Sequence, residues 1–169
     1  MKVKDNLIIV KNKYNLFFKQ FKFKCCIGKN GITSKKKEGD LKTPEGVYEL
    51  GNLYYRKDRV KKPHTNLICK PLKRSMGWCN DFLDKNNYNK IVSIKKIPKS
   101  EKLFRVDYKY DYLIPILYNT KKRVPKKGSA IFLHLTKNYK NTAGCVALKK
   151  KDFSIILKLI NKKTKIKIS

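Results

Sequence analysis

The strongest constraint on the fold is an alternation of apolar and charged side chains near the start of the chain. Phe21, Phe23 and Cys25 alternate with two lysines. An extended segment with this pattern has one buried and one solvated face. The pattern therefore predicts strand structure across residues 6–28, closed by a turn at GKNG, residues 28–31.

Further segments typical of strands follow, separated by polar stretches. The polar segment ITSKKKEGDLKTPEG carries two glycines and a proline and is predicted to be a long surface loop. VYELGNLYY, residues 47–55, returns to strand character, and residues 57–89 are predicted to be irregular and to cross the surface. DYLIPILYN and GSAIFLHL look like two buried strands around a basic turn at 119–127. The tail TKIKIS alternates and is predicted to be a last strand.

Two short helices are predicted. One runs from Ser100 to Tyr108 with Ser100 as its N-cap, and the other begins at Asp152 in KKKDFSIILKLINKK, where apolar residues recur at helical spacing. The sequence has no internal repeat and no linker that would divide it. We therefore predict a single domain over residues 1–169, mainly β and β-sandwich-like, with a short helix or two, long enough to bury a core without disulfides or metal.

The composition is strongly basic, with 43 Lys and Arg against 12 Asp and Glu and a formal net charge of +31. Such a surface attracts anionic polymers, either nucleic acid or a carboxylate-rich cell wall. Only five of these cations are arginine, and Lys, Asn, Ile and Tyr are abundant together, as expected when the coding DNA is rich in A and T. A nucleic-acid-binding module with tyrosines as stacking platforms is one hypothesis. The lysines are spread along the whole chain, however, so nucleic acid is not the expected partner.

The cysteines indicate neither a disulfide framework nor a zinc ribbon. There are five, an odd number, and no two of them form a CxxC pair. A zinc site from His64, Cys69, Cys79 and His134 is conceivable, but the spacings fit no common pattern, so no metal is expected.

The start of the chain, MKVKDNLIIVKNKYNLFFKQF, has no apolar core of the length found in signal peptides, because charged or amide residues interrupt it every few positions. No segment of the sequence is apolar over enough residues to span a bilayer. No export signal is visible, and the sequence is interpreted as a soluble domain.

One segment, HLTKNYKNTAGC at 134–145, contains the residue types of thiol catalysis. A histidine within hydrogen-bond reach favours the thiolate of a cysteine, which is the nucleophilic form. His134 and Cys145 are 11 residues apart, and the polar loop between them can return the end of one strand to the start of the next. The alternative is that Cys145 is a small core residue and His134 a satisfied polar residue at a strand edge. Spacing alone favours this structural alternative.

The residues before the cysteine support the catalytic hypothesis. Ala143 and Gly144 leave room for a substrate backbone. A tight turn here can also point the amides of Gly144 and Cys145 at a developing oxyanion.

HLTKNYKNTAGCVAL resembles the catalytic motif of the L,D-transpeptidase (YkuD-type) family, in which a histidine precedes a loop that ends in a small polar residue, a variable position and Gly-Cys. CCIGKNGITSKKKEGDLKTPEGVYEL resembles a second segment of these domains. MGWCNDFLDKNNYNKIV, YDYLIPILYN and KKGSAIFLHL resemble a small subgroup of bacterial members. The resemblance covers nearly the whole chain and implies a β-sandwich-like, mostly antiparallel catalytic domain with a short helix.

The resemblance implies acyl transfer on peptidoglycan stem peptides. By position in the motif, Cys145 is the nucleophile that forms a thioester, and His134 is the general base and then the acid. The backbone carbonyl of Leu135 is expected to orient the imidazole, the Gly144 and Cys145 amides to form the oxyanion hole, and Thr142 to occupy the small polar position and contact substrate. No cofactor is required, since these groups complete the acyl-transfer machinery.

The sequence departs from the family at Leu135, Ala143 and Ala147, where a glycine, a second histidine and an arginine are common, and its loop to the cysteine is shorter. Because the arginine is missing, Lys149, its neighbour Lys150 or Arg105 is expected from charge alone to contact a substrate carboxylate.

The resemblance also implies partners and a location. Carbapenem-type β-lactams are expected covalent inhibitors, and an L,D-carboxypeptidase, in which water replaces the acceptor amine, is the alternative on the same site. The implied substrate lies in the periplasm or cell envelope, which conflicts with the missing export signal. The start of the protein lying further upstream, another export route, or a cytoplasmic precursor as substrate would each resolve this conflict.

Overall fold

The computed structural model describes residues 6–169 as a curled ten-stranded sheet, a three-stranded sheet, a two-stranded ribbon and one helix. In chain order the elements are β1 (Leu7–Lys11), β2 (Asn15–Phe18), β3 (Phe21–Cys26), β4 (Ile32–Thr33), β5 (Thr43–Pro44), β6 (Gly46–Glu49), β7 (Leu53–Tyr55), β8 (Cys69–Pro71), β9 (Met76–Trp78), β10 (Ile91–Ser93), β11 (Glu101–Lys102), β12 (Tyr112–Pro115), β13 (Phe132–Leu135), β14 (Val146–Leu148), α1 (Lys150–Leu159) and β15 (Lys165–Ile168).

The large sheet has the strand order β6-β15-β1-β2-β3-β14-β13-β12-β7-β8, and β10-β9-β11 form the smaller sheet. The prediction of a mainly β fold with a short helix or two is confirmed. The first residues of the segment interpreted as lacking an export signal, 1–5, lie outside the described part of the chain.

The alternating N-terminal segment forms three antiparallel strands, β1 to β3, rather than one. Left-handed backbone at Asn12 (φ 54°) and Lys13 (φ 64°) reverses the chain between β1 and β2. Phe23 and Cys25 are buried while the lysines between them are exposed, as the alternation predicts. The predicted last strand is also present as β15, which pairs in parallel with β1 and so joins the two ends of the chain.

The central strand β13 is buried on both faces. Leu133 and Leu135 belong to the main core, which α1 covers with Phe153 and Ile156. The alternate residues of β13 point the other way, and Phe132 belongs to a second, smaller apolar cluster that also contains Tyr54, Leu72, Trp78, Leu103, Tyr110, Leu113 and Cys145. Because side chains alternate along a strand, one strand supplies both the core and the opposite face.

Helix α1 starts earlier than predicted. Its N-cap is Lys149, which makes no side-chain capping bond, and Asp152 lies in the first turn. The prediction that Asp152 is the N-cap was therefore wrong. The helix begins two residues after β14, which ends at the buried Leu148. The Asp152 carboxylate still lies near the N-terminus of the helix, where the positive end of the helix dipole stabilises it. Within residues 6–169, no helix has the length and apolarity needed to cross a bilayer.

The predicted helix from Ser100 to Tyr108 was wrong. Glu101 and Lys102 instead form β11, which pairs with β9, and Leu103 is fully buried in the second cluster. The Ser100 hydroxyl has no hydrogen-bond partner among the described residues, so it caps no helix there. Strand pairing and burial of one leucine override the local capping signal.

Two segments predicted to run over the surface are partly built into the fold. ITSKKKEGDLKTPEG begins in β4 and ends in β5, and Lys36 within it is buried. The stretch 57–89 contains β8 and β9 and carries Trp78, whose indole N–H donates to Asn89 at 2.9 Å. The prediction that both segments run over the surface was therefore only partly correct, because short pieces of each segment are buried in the fold.

We expect Ile166→Ala in β15 to lower the free energy of unfolding by roughly 2–5 kcal/mol, because Ile166 is fully buried in the main core. The matched control is Lys167→Ala on the same strand, which is exposed and should change stability by less than about 0.5 kcal/mol. Urea unfolding of both variants measures the difference. Equal effects of the two substitutions would contradict the position of β15 in the core.

Candidate active site

A cavity of about 790 Å³ opens over the face of β13 that carries Phe132 and His134. Three segments form its walls, namely 36–41, 101–110 and the loop 136–145 between β13 and β14. Among residues 6–169, five cations and two acids line it: Lys36, Arg105, Lys109, Lys137 and Lys140 with Glu38 and Glu101.

The parallel pairing of β13 with β14 brings the two ends of the HLTKNYKNTAGC segment together. Leu133 pairs with Val146 and His134 with Ala147. Cys145, one residue before β14, therefore lies beside Phe132. His134 and Cys145 are on the same face of the sheet, two residues apart along the strand direction. The small side chain of Ala147 stands opposite His134.

The Cys145 thiol is held by the backbone of the neighbouring strand. The Phe132 amide donates to Sγ at 3.3 Å, and the thiol donates to the Ala130 carbonyl at 3.3 Å. The pKa of Cys145 is raised to about 12, chiefly by burial and also by the nearby Glu101 carboxylate, while the Phe132 amide and Lys36 oppose the rise. In the absence of substrate the cysteine is therefore a neutral thiol at neutral pH.

The His134 imidazole is buried and oriented by its own strand. Its Nδ1 lies 2.8 Å from the Leu135 carbonyl oxygen, so Nδ1 carries the proton and Nε2 the free lone pair. The pKa of His134 is lowered to about 4, chiefly by burial and also by Lys109 and Arg105, while the hydrogen bond to the Leu135 carbonyl opposes the decrease. The imidazole is neutral at neutral pH and can accept a proton. Within residues 6–169 no hydrogen bond joins it directly to Cys145.

Thr142 organises the turn before the cysteine. Its hydroxyl accepts from the Gly144 amide at 3.1 Å and donates to the Cys145 carbonyl at 2.6 Å. Its own backbone bonds to the strand end at Ile27 and Lys29. Gly144 cannot carry a side chain here, because its φ is 144° and a Cβ would lie 2.9 Å from a backbone carbonyl. The predicted oxyanion-hole amide of Gly144 is therefore engaged by Thr142.

Arg105 lines the cavity, and two other arginines donate hydrogen bonds to the backbone of the segment that carries it. Arg56 donates to the Arg105 carbonyl, and Arg59 donates to the carbonyls of Val106 at 2.5 Å and Asp107 at 2.9 Å. Arg105 itself forms a two-pronged ion pair with Asp107, at 3.0 and 2.6 Å. Its guanidinium remains beside the cavity, but part of its charge is already neutralised.

Lys149 lies away from this cavity. It is not among the lining residues, and its ammonium sits 5.1 Å from the ring centroid of Tyr139. Lys150, in the first turn of α1, does not line the cavity either. Lys149 therefore does not line the cavity, and its contact with a substrate carboxylate stays a prediction. Lys109, which the sequence analysis did not select, lines the cavity instead.

Glu101 and Tyr110 also line the cavity and were missed. The Tyr110 hydroxyl donates to Glu101, and the Tyr110 ring packs edge-on against the His134 ring with centroids 5.2 Å apart. The incorrect helix prediction over Ser100–Tyr108 hid Glu101, and Tyr110 lies two residues beyond that predicted helix. The rarity of acidic residues was a usable signal. A chain this basic has only 12 Asp and Glu, so each of them is a candidate for a specific role.

The remaining cysteines and the second histidine lie elsewhere. All five cysteines are free thiols. Neither His64, Cys69 nor Cys79 lines the cavity, and His64 is exposed. In the part of the chain from residue 6 onward, no three His, Cys, Asp or Glu side chains are grouped to hold a metal ion.

The chain was compared with known protein families and curated proteins. The family model of the L,D-transpeptidase catalytic domain (YkuD) matches residues 5–168. Comparison with curated proteins finds no match.

Two solved structures are similar to the chain. Bd1075 of Bdellovibrio bacteriovorus is 17% identical with a TM-score of 0.50, and the match covers 98% of this chain and 48% of that one. A mutant of Pgp2, described as the helical cell shape determining protein of Campylobacter jejuni, is 20% identical with a TM-score of 0.47. This match also covers 98% of this chain and 48% of the other chain. The chain thus spans about half the length of these proteins. The similarity to Bd1075 supports the fold.

We expect Thr142→Val to speed hydrogen exchange at the Gly144 amide and to lower the free energy of unfolding by about 1–3 kcal/mol, because a donor and an acceptor lose their partner. Thr142→Ser keeps the hydroxyl and is the matched control. NMR-detected exchange and urea unfolding measure the two effects. Faster exchange in Thr142→Ser than in Thr142→Val would show instead that the methyl group, rather than the hydroxyl, holds the turn.

We expect alkylation of Cys145 by iodoacetamide to rise about tenfold per pH unit from pH 7 to pH 10, because only the thiolate reacts and the pKa of the thiol is about 12. Peptide mass mapping locates the modification, and Cys145→Ala provides the blank. A rate that levels off below pH 8 would indicate a preformed thiolate–imidazolium pair instead.

Proposed function

This chain belongs to the L,D-transpeptidase catalytic domain family, since the family model matches residues 5–168, and we propose that it is a cysteine-dependent L,D-transpeptidase acting on peptidoglycan stem peptides. The observation that carries the proposal is the shared cavity of Cys145 and His134, with His134 Nδ1 bound to the Leu135 carbonyl. Residues 1–169 would form one catalytic domain, with its substrate in the cell envelope.

In the first half of the proposed reaction, Nε2 of His134 removes the proton from the Cys145 thiol. The thiolate attacks the carbonyl carbon that follows the L-centre of the diamino acid at position three of the stem. The bond to the terminal D-amino acid breaks, and its nitrogen receives the proton from His134. A thioester on Cys145 remains, and His134 is neutral again.

The neutral state of both groups fits this order of events. A thiol with a pKa of about 12 beside an imidazole with a pKa of about 4 does not ionise spontaneously. The proton therefore moves only as the thiol attacks, when substrate fills the cavity and the thiol leaves the Ala130 carbonyl. The Leu135 carbonyl would stabilise the imidazolium that forms for a moment.

The tetrahedral intermediate carries its negative charge on the former carbonyl oxygen. We assign the amide of Cys145 as the first donor to this oxyanion, since the amide of Gly144 is already bound to Thr142. Thr142 then acts by fixing the turn, and Gly144 by allowing the close approach of the backbone.

The charges at the cavity suit an acidic peptide. Lys36, Arg105 and Lys109 line it, and stem peptides carry free carboxylates. Arg105 is shared with Asp107, whereas the exposed Lys109 has its ammonium available for a carboxylate. We therefore propose Lys109 together with Arg105 as the carboxylate contact, in the role that was predicted for Lys149.

The test is intact-mass analysis of the protein after exposure to a carbapenem, with Cys145→Ala and His134→Ala for comparison. We expect a single covalent adduct that is absent in Cys145→Ala and forms at least about 100-fold more slowly in His134→Ala, the loss typical of a general base. An adduct that persists without Cys145, or none in the unmodified protein, would contradict the proposal.

Incubation with disaccharide-tetrapeptide muropeptides then separates the two activities of this site. Cross-linked dimers would support transpeptidation. Shortened monomers alone would support the L,D-carboxypeptidase alternative, in which water resolves the thioester.

A further inference from the structure

We propose that Glu101 binds the ammonium group of the acceptor and removes its proton in the second half of the reaction. The inference rests on the proposed transpeptidase function and adds a second acid–base residue to it. His134 would serve the cysteine and the leaving group, and Glu101 would serve the incoming amine.

The first argument is the position of Glu101. It lies in β11 and lines the same cavity as Cys145 and His134. The Tyr110 hydroxyl donates to one carboxylate oxygen, and no residue in the described part of the chain bonds to the other. The Tyr110 ring in turn packs against His134 and against Phe132, with centroids 5.2 and 5.8 Å apart. One tyrosine thus fixes Glu101 relative to the imidazole and to the strand that holds the thiol.

The second argument is electrostatic. A carboxylate beside a nucleophilic cysteine opposes formation of the thiolate, and Glu101 indeed raises the pKa of Cys145. Burial also raises the pKa of Glu101 itself, against the Tyr110 hydrogen bond and the charge of Arg105. A half-buried carboxylate at this point therefore opposes acylation of the cysteine. A cation that arrives after acylation would offset the burial of this charge.

The third argument is the proton balance of aminolysis. An alkyl amine is mostly an ammonium ion at neutral pH, since its pKa is near that of lysine, about 10.4. To become an amide nitrogen it has to lose two protons. One passes through His134 to the sulfur as the C–S bond breaks, and this regenerates the thiol. The other needs a second acceptor, and the Glu101 carboxylate can take it before the nitrogen attacks the thioester carbon and later release it to solvent.

The fourth argument is the surrounding charge. A chain with a net charge of +31 repels a cationic acceptor, and five cations line this cavity. Glu38 is the other lining acid, and one of its oxygens already accepts from Tyr88 at 2.5 Å and from Ser129 at 2.9 Å. Glu101 is the acid whose charge acts on Cys145, and so it is the one near the thioester.

The experiment uses the disaccharide-tetrapeptide as both donor and acceptor, with the unmodified protein, Glu101→Gln and Glu101→Asp. Glutamine keeps an acceptor for Tyr110 but cannot take a proton, and aspartate tests rescue by a carboxylate. Glu49→Gln removes the same charge from a surface ion pair with Lys121 and is the control. Intact-mass measurements follow the acyl-enzyme, and chromatography gives the ratio of cross-linked dimer to shortened monomer.

We expect Glu101→Gln to form the acyl-enzyme at least as fast as the unmodified protein, to accumulate it, and to lower the dimer-to-monomer ratio at least tenfold. Glu101→Asp should recover part of that ratio, and Glu49→Gln should not change it. A ratio within twofold of the unmodified protein, or an equal loss of acylation and transfer, would overturn the role of Glu101.

Two further outcomes separate this inference from the proposed function. An acyl-enzyme that yields only shortened monomers in the unmodified protein would overturn the acceptor role and leave the thioester chemistry intact. The absence of any acyl-enzyme in the unmodified protein would overturn both.

Discussion

The site depends on the parallel pairing of β13 and β14 within a sheet whose other pairs are mostly antiparallel. In a parallel pair, the second strand starts beside the start of the first. The loop 136–145 must therefore return along the length of β13 before β14 begins. That return path places Cys145 next to Phe132 and makes the loop itself a wall of the cavity. The parallel register thus sets the separation of the thiol and the imidazole, which lie on the same face of the sheet and two residues apart along the strand direction.

The same pairing decides the electrostatics of the two candidate catalytic groups. β13 is buried on both faces, so both groups lie where charge is costly, and burial is the largest cause of each pKa shift. The thiol and the imidazole are therefore neutral until a substrate arrives. The surrounding walls supply charge of both signs, with Lys36 and Glu101 acting on the thiol in opposite directions. Reactivity in such a site depends on what fills the cavity rather than on a preformed ion pair.

Local signals in the sequence were sufficient for the elements whose side chains alternate or recur regularly. The lysine–phenylalanine alternation at 21–25 became β3, and the tail TKIKIS became β15. They failed at Ser100–Tyr108, where a capping serine and helix-compatible residues suggested a helix. The pairing of β11 with β9 and the burial of Leu103 determine the structure there, and neither is visible in the local sequence. The same error concealed Glu101.

The sequence by itself determined that the fold is mainly β with a helix near its end, and it singled out His134, Leu135, Thr142 and Cys145 through a motif resemblance. These depend on residue type and short-range spacing. Only the tertiary structure decided that Lys149 does not line the cavity, that Thr142 engages the Gly144 amide, and that Lys36, Glu101 and Lys109 line the cavity of the thiol and the imidazole. These three residues lie in two segments, 36–41 and 101–110, that are distant in sequence from Cys145. The register between strands, which no local pattern encodes, brings them together.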